Sequence, residues 1–456
     1  PWGTVSSIHP SKYTKGTAYI AIDLHQIGDF GTYLYKTSDY GMHWESIVGD
    51  IPQSVHSFAH VLKEDPKKGG MLYLGLDNSL LISMDDGAHW MPLKNNLPPA
   101  PIYWLEVQEN FDDLVVSTYG RGYYILDDLS ALRQFNPDLK ESLQVFDPRK
   151  SYRLNNKEGI KTDGYSFNSG QNPAYGAPIN YYLPDTLTEK VSIEIRNEKN
   201  ELIRTLKGSN ETGVNRIMWD LRYEPTYKPQ LRTLPSGRPW VQLNGEGWRP
   251  LVTWDLDLWS GQYGPRVVPG KYKAVITIDD APFEKDLIVL KDPLARGSLA
   301  DLKEQVQFSL TLREAMNVAV TMINKIEYIR SELLLLKTSL KKNSELKQVD
   351  RLMGIATQIA GSLYDIHLTG AREDAFRSPM KLYGRLSALA SEINSSSIDF
   401  KPTDQQGAVY EVLNQRLQKT KVAFDELINH DIVTFNKQLN DLDMHIDIEK
   451  KMEKSN

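Results

Sequence analysis

The stretch TSDYGMHW, Thr37–Trp44, returns as SMDDGAHW at Ser83–Trp90, 46 positions later. Both follow one pattern: a hydroxyl residue, any residue, Asp, any residue, Gly, two of any kind, then Trp. An aspartate so placed can accept backbone N–H bonds in a tight turn, and the glycine supplies the backbone freedom that turn requires. The closing tryptophan packs into the core of the strand that follows. Thr37, Asp39, Gly41 and Trp44, with Ser83, Asp85, Gly87 and Trp90, therefore read as structural turn positions.

Short strand-like runs flank both octets. GTAYIAIDL and TYLYKTS precede the first, and HSFAHVL and MLYLGLD precede the second. The 46-residue period suits a four-stranded propeller blade. A third segment, Pro101–Asp128, keeps the strand rhythm but carries TYGRGYYILDD where the octet would fall. Three blades cannot close a ring, since propellers use about 4–8. The remaining blades are expected upstream or on another chain, and the start at Pro1 fits a fragment.

The octets resemble the Asp-box, or bacterial neuraminidase repeat, found on the hairpin between the third and fourth strands of propeller blades. In that family the box lies away from the central cleft, which implies a structural role for Asp39 and Asp85. Glu106, Asp112 and Asp113 are other acids here, but nothing in their spacing marks a catalytic pair. A sialidase would need an arginine cluster, whereas Arg121 is the one arginine before Arg133. Arg121, in a Gly-Arg-Gly turn, is expected to make local ion pairs or to point into a channel. No catalytic residue is assigned.

From Gln144 to Asp292 the runs INYYL, VSIEIRN, ELIRTLKG, GVNRIMWDLRY, PGKYKAVITID and EKDLIVLKD alternate apolar and polar residues between turns. This predicts a small antiparallel β-sandwich. The pieces Gly213, Asn215, Trp219, Asp220, Pro269, Gly270 and Tyr272 resemble the immunoglobulin-like domain of the flagellar hook-capping type. An aromatic insertion, 228–266, interrupts it with Trp240, Trp248, Trp254 and Trp259. Such rings either stack on a ligand or pack down against the sandwich or propeller as an interface.

Beyond Pro293 the pattern turns helical. Leu312, Met316, Ala319, Ile323, Ile326, Leu333, Leu336 and Leu340 form one stripe, and helices are predicted over 300–340, 345–367, 379–394 and 403–439. Val409, Leu413, Leu417 and Phe424 are the expected core of the last one. Short links suggest an up-and-down bundle. His367 and His430 lack a second ligand at helical spacing, so no metal site is assigned, and no cofactor is implied.

The chain has 456 residues, a net charge of −6 and no cysteine. That argues against non-specific nucleic-acid binding and removes disulfides and thiolate chemistry. No apolar run reaches the ~18 residues of a spanning helix. The expected organisation is multidomain: 1–135 the last blades of an Asp-box propeller, 136–186 a linker and the start of the sandwich, 187–292 the immunoglobulin-like β-sandwich, and 293–456 an α-helical bundle. This order, with NPAYGAP, WDLRYEP and VVPGKY, resembles the C-terminal half of large bacterial sortilin-like, neuraminidase-repeat proteins, often labelled glycosyl hydrolases. The resemblance implies an extracellular, cell-surface or periplasmic protein that holds a protein, peptide or glycan. It also leaves two other readings, a polysaccharide hydrolase with its acids in absent blades and a subunit of an envelope complex. Replacing Asp39 or Asp85 by alanine should lower thermal stability and leave ligand binding by the folded fraction unchanged.

Overall fold

The computed structural model describes residues 3–155, 170–251, 261–371, 373–374, 379–394, 399–439 and 444–447. The first sheet is a meander of β1 (Thr4–Pro10), β2 (Ala18–Asp23), β3 (Tyr33–Thr37) and β4 (Glu45–Ser46), each antiparallel to the next. The second repeats it with β5 (Ala59–Glu64), β6 (Leu72–Leu76), β7 (Leu80–Ser83) and β8 (Met91–Pro92). The third has three strands, β9 (Ile102–Gln108), β10 (Asp113–Thr118) and β11 (Tyr123–Leu126). Each octet forms the turn into the fourth strand of its sheet.

The sheets pack face to face in chain order. Ile47 and Ile51 after the first sheet share a core with Leu72, Leu74 and Trp90 of the second. Val61, Tyr73 and Ile82 share another with Ile102, Leu114 and Val116 of the third. The edge strands β1, β5 and β9 lie beside one another. Ser6 Oγ donates to Ala59 O at 3.0 Å, and Ser7 Oγ receives the Leu62 N–H at 3.2 Å. After β11 the chain turns into α1 (Ser130–Gln134), whose Arg133 reaches back to the buried Asp65 at 2.9 Å.

Two more sheets enclose a single apolar core around Ile179, Tyr181, Ile193, Trp219, Ala274 and Leu287. One contains β12 (Gln144–Val145), β14 (Ala177–Leu183) and β17 (Gly213–Trp219). The other contains β13 (Ser151–Arg153), β21 (Ala281–Lys291), β20 (Gly270–Ile278), β15 (Ser192–Asn197) and β16 (Leu202–Lys207), in that order. The expectation of purely antiparallel pairing fails at one place, because β13 runs parallel to β21. A strand arriving from the preceding sheets reaches that free edge in the same direction as β21.

The inserted segment forms its own hairpin, β18 (Gln230–Leu231) with β19 (Arg249–Pro250). Its far end touches the sandwich side, where Arg266 donates to Leu154 O at 2.8 Å. Leu231 and Leu251 join the helical core. That core is built by α2 (Leu299–Ser339), α3 (Asn343–Leu363), α4 (Leu382–Ile393) and α5 (Asp404–Glu426). The last continues through a π-helical stretch, Leu427–Ile432, into α6 (Val433–Leu439). Capping boxes at Ser298/Asp301 and Thr403/Gln406 set two of the starts. The predicted stripe of α2 is buried throughout. Val409 departs from expectation and is exposed, being in the first turns of α5 on an outer face.

The insertion meets α2 through polar side chains that sequence periodicity did not reveal. Asn317 accepts the Tyr227 N–H at 2.9 Å, and Asn324 accepts that of Gln230 at 2.7 Å. Glu327, fully buried, accepts the Arg232 and Thr233 N–H groups at 2.8 and 2.9 Å and the Tyr364 hydroxyl at 2.6 Å. A helix thus supplies the hydrogen bonds that a neighbouring strand would otherwise give this extended backbone.

Candidate functional site

The octets show how closely two turns can match. Thr37 Oγ1 and Ser83 Oγ each donate to the aspartate two residues on at 2.9 Å, and each accepts the glycine N–H at 2.9 Å. Asp39 and Asp85 each take the N–H of His43 or His89 at 2.9 Å and its Nδ1 at 2.6 Å. Tyr40 and Asp86 sit at φ 63°, and Gly41 and Gly87 at 88° and 91°, all left-handed. The His43 N–H and imidazole hold the Asp39 carboxyl down at about 2. Burial opposes the same effect at Asp85, and the two bonds from His89 still depress it. Both carboxylates are engaged by the turn.

The third sheet keeps part of this device. Leu129 N donates to Asp112 O, as Tyr40 N does to Gly16 O and Asp86 N to Gly70 O. That equivalence puts Asp128 at the octet aspartate, with Leu126 and Ser130 replacing the hydroxyl residue and the glycine. Asp128 accepts the Ser130 N–H at 3.1 Å and the Asn180 amide at 3.1 Å, while Arg216 donates to its carbonyl at 3.0 Å. Here the turn aspartate anchors β14 and β17.

The strand ends opposite the octets carry a different set of residues. Ala18 pairs with both Pro10 and Thr37, which puts the octet at the start of β2. His25 follows the other end of β2, in a 3-10 turn. It stacks on Phe58 with ring centroids 4.6 Å apart, and Phe58 meets His60 edge-on at 5.1 Å. His60 stacks on Tyr103 at 4.3 Å, and Tyr103 meets Tyr119 at 5.5 Å. One continuous run of rings crosses all three sheets and ends in the exposed faces of Tyr103 and Tyr119. We call it the ring shelf.

Two carboxylates support the shelf. Both oxygens of Asp23 lie 2.7 Å from His25 Nδ1. Asp77 holds His56 Nδ1 at 3.0 Å and His60 Nε2 at 3.4 Å. Burial lowers the His60 pKa against the pull of Asp77, so its ring is neutral at pH 7 and presents an uncharged stacking face. The shelf offers flat aromatic faces beside hydrogen-bond acceptors, the chemistry that holds a sugar or a peptide ring.

Arg121 is exposed next to the shelf, between Gly120 and Gly122 at φ 79° and 77°. Trp240 is 63% exposed with the Arg238 guanidinium 5.3 Å from its ring, and Trp248 donates to Glu246 at 2.6 Å. Trp254 and Trp259 lie outside the described residues. Neither Trp240 nor Trp248 makes a ring contact with the shelf among the described residues. Of the other acids, Glu106 faces Lys63 at 3.6 Å, Asp112 is held by Lys67 at 2.6 Å and by Arg133, and Asp113 accepts the Asp128 N–H at 3.0 Å. None of the three joins the shelf.

No family profile and no curated protein matches the chain. Among solved structures it is similar to a GH74 enzyme of Niastella koreensis, at 9% identity and TM-score 0.23, over 62% of this chain and 38% of that one. It is also similar to the extracellular domain of a hybrid two-component system protein of B. thetaiotaomicron, at 13% identity and TM-score 0.21, over 63% and 31%. The chain therefore spans well under two thirds of either structure. Among the described residues no helix is long and apolar enough to cross a membrane.

Proposed function

We propose that this is a secreted or cell-surface binding protein whose ring shelf holds a protein, peptide or glycan. The observation that carries the reading is the unbroken series of ring contacts from His25 to Tyr119 across three sheets. In this reading the first three sheets are blades of an Asp-box propeller of the sortilin-like kind. Their meander order, the octets at the third turn and the adjacency of β1, β5 and β9 support it. The two-sheet unit is the immunoglobulin-like domain, and the helices behind it brace the insertion. Isothermal titration with xyloglucan oligosaccharides, run beside selection from a phage-displayed peptide pool, tests the shelf. Tyr119→Ala should weaken the selected ligand at least ~10-fold, about 1.4 kcal/mol, with unchanged melting. Undiminished binding by Tyr119→Ala and Tyr103→Ala would remove the shelf from the account.

One observation favours a further reading, in which additional blades, in cis or on another chain, complete the propeller. Val5, Ile8, Tyr40, Met42 and Trp44 leave the outer face of the first sheet apolar and exposed. The intact mass of the native protein distinguishes the two sources. Release of reducing ends from xyloglucan by the intact native protein, and not by this chain alone, would instead promote the hydrolase reading.

A further inference from the structure

The third sheet is one strand short. The first two sheets run β1-β2-β3-β4 and β5-β6-β7-β8, whereas the third ends at β11. Where a fourth strand exists it has one form, Trp44-Glu-Ser-Ile47 in the first sheet and Trp90-Met-Pro-Leu93 in the second. Its two middle residues pair with the third strand, Lys36 with Glu45 and Ile82 with Met91. The closing aliphatic residue then donates its N–H back, from Ile47 to Leu34 O at 3.1 Å and from Leu93 to Leu80 O at 2.9 Å.

Register fixes the equivalent atoms on β11. Ala18 pairs with Thr37, Leu72 with Ser83 and Leu114 with Leu126. Tyr123 then corresponds to Leu34 and Leu80, and Ile125 to Lys36 and Ile82. In an antiparallel ladder alternate residues point their backbone groups to the same side. Those of Tyr123 and Ile125 therefore face away from β10, where no described strand lies. Both side chains are exposed, at 78% and 60%. An open edge is ordinarily blunted by lysine, proline or a bulge. Tyr123–Leu126 has none of these: its four residues are aromatic or aliphatic, and its pairing to β10 is regular. Among the described residues the chain does not return along it, since α1 carries it inward to Asp65.

We propose that β11 is an acceptor edge for an extended segment of the form Trp-x-x-aliphatic, supplied by a partner polypeptide. The segment adds antiparallel to β11, with the aliphatic residue's N–H directed to the Tyr123 carbonyl, as β4 and β8 add to β3 and β7. Main-chain bonds supply affinity and the spaced tryptophan and aliphatic side chains supply selectivity. This inference stands independently of the ring shelf, because it uses neither its residues nor its ligand.

Hydrogen–deuterium exchange of the full chain with the peptide HWMPLKN, the sequence of His89–Asn95, tests it. The peptide should slow exchange across 119–126 and leave β3 and β7 unchanged. A version with Trp replaced by Ala should bind at least ~10-fold more weakly. Ile125→Pro removes an N–H that faces away from β10, which an edge strand tolerates, and should weaken the peptide at least ~10-fold. Ile125→Lys is the second variant should the proline form melt early, with the same expected loss. Absence of binding, equal binding by both Ile125 variants, or protection at β3 or β7 in place of β11 would overturn the proposal. Self-association of the wild type that both variants abolish would give the edge to a second copy and overturn the partner assignment.

Discussion

Trp44 and Trp90 close the same octet, yet one is 42% exposed and the other 7%. The hydrogen bonds inside the two turns agree within the spread of their distances. What differs is the neighbour. Trp90 donates its indole N–H to Ile47 O at 3.0 Å and its backbone N–H to Asp50 at 2.8 Å, both in the segment that follows the first sheet. Trp44 has no such preceding segment among the described residues. The octet therefore makes a turn by itself, but its tryptophan contributes packing energy only once a sheet lies in front of it.

The sharpest way to break this comparison is to truncate both rings. Trp90→Ala should cost about 3–5 kcal/mol in denaturant unfolding, as for other buried aromatic truncations, while Trp44→Ala stays within about 1 kcal/mol. Equal losses would mean that Trp44 is covered in solution. Glycine substitution comes next. A Cβ at Gly87 would lie 2.8 Å from Ile47 Cβ, whereas one at Gly41 meets nothing closer than Trp44 at 3.6 Å. Both alanines bear the left-handed penalty of about 1–2 kcal/mol, and Gly87→Ala should add about 1–3 kcal/mol of overpacking. Matching melting temperatures for the pair would contradict the asymmetry.

The aspartates separate the variants less. Asp85→Ala should cost about 1–2 kcal/mol, because it removes the acceptor of the Ser83 hydroxyl and the His89 N–H. Asp39→Ala should move stability the same way by less, and neither should alter ligand binding by the folded fraction. The smallest effect is a pH dependence. The Asp85 hydrogen bond raises the His89 pKa above 6.5, so this pair's stabilisation is complete below that value and fades as pH rises through the folded-state pKa. His89→Gln should flatten the melting profile between about pH 6 and pH 9. At the acid end the sign reverses. The lowered carboxyls of Asp39 and Asp85 stabilise above about 3.8 and lose that contribution as pH falls through their folded values.

The local and the distant were unequally legible in the sequence. Turn chemistry at the octets, the α2 stripe and the capped helix starts depend on residues a few positions apart, and periodicity exposes them. The ring shelf depends on residues such as His60 and Tyr103, which meet only because β5 and β9 lie side by side. HSFAH reads as ordinary alternation, though its two histidines flanking an aromatic were a usable signal. Asp128 escaped because the hydroxyl residue and the glycine of the pattern are gone while the aspartate remains. Asn317, Asn324 and Glu327 were hidden in a helix whose apolar stripe drew attention away from its polar face.

That polar face has a consequence for the order in which the protein is made. Gln230 leaves the ribosome 94 residues before Asn324, the side chain that receives its N–H. At ~5–20 residues per second the insertion waits on the order of ten seconds with Leu231 and Leu251 uncovered. The sandwich can close during that time, because its core lies in chain already synthesised once β21 has emerged. The helices thus arrive last, onto a template that the nascent chain has already held out to them.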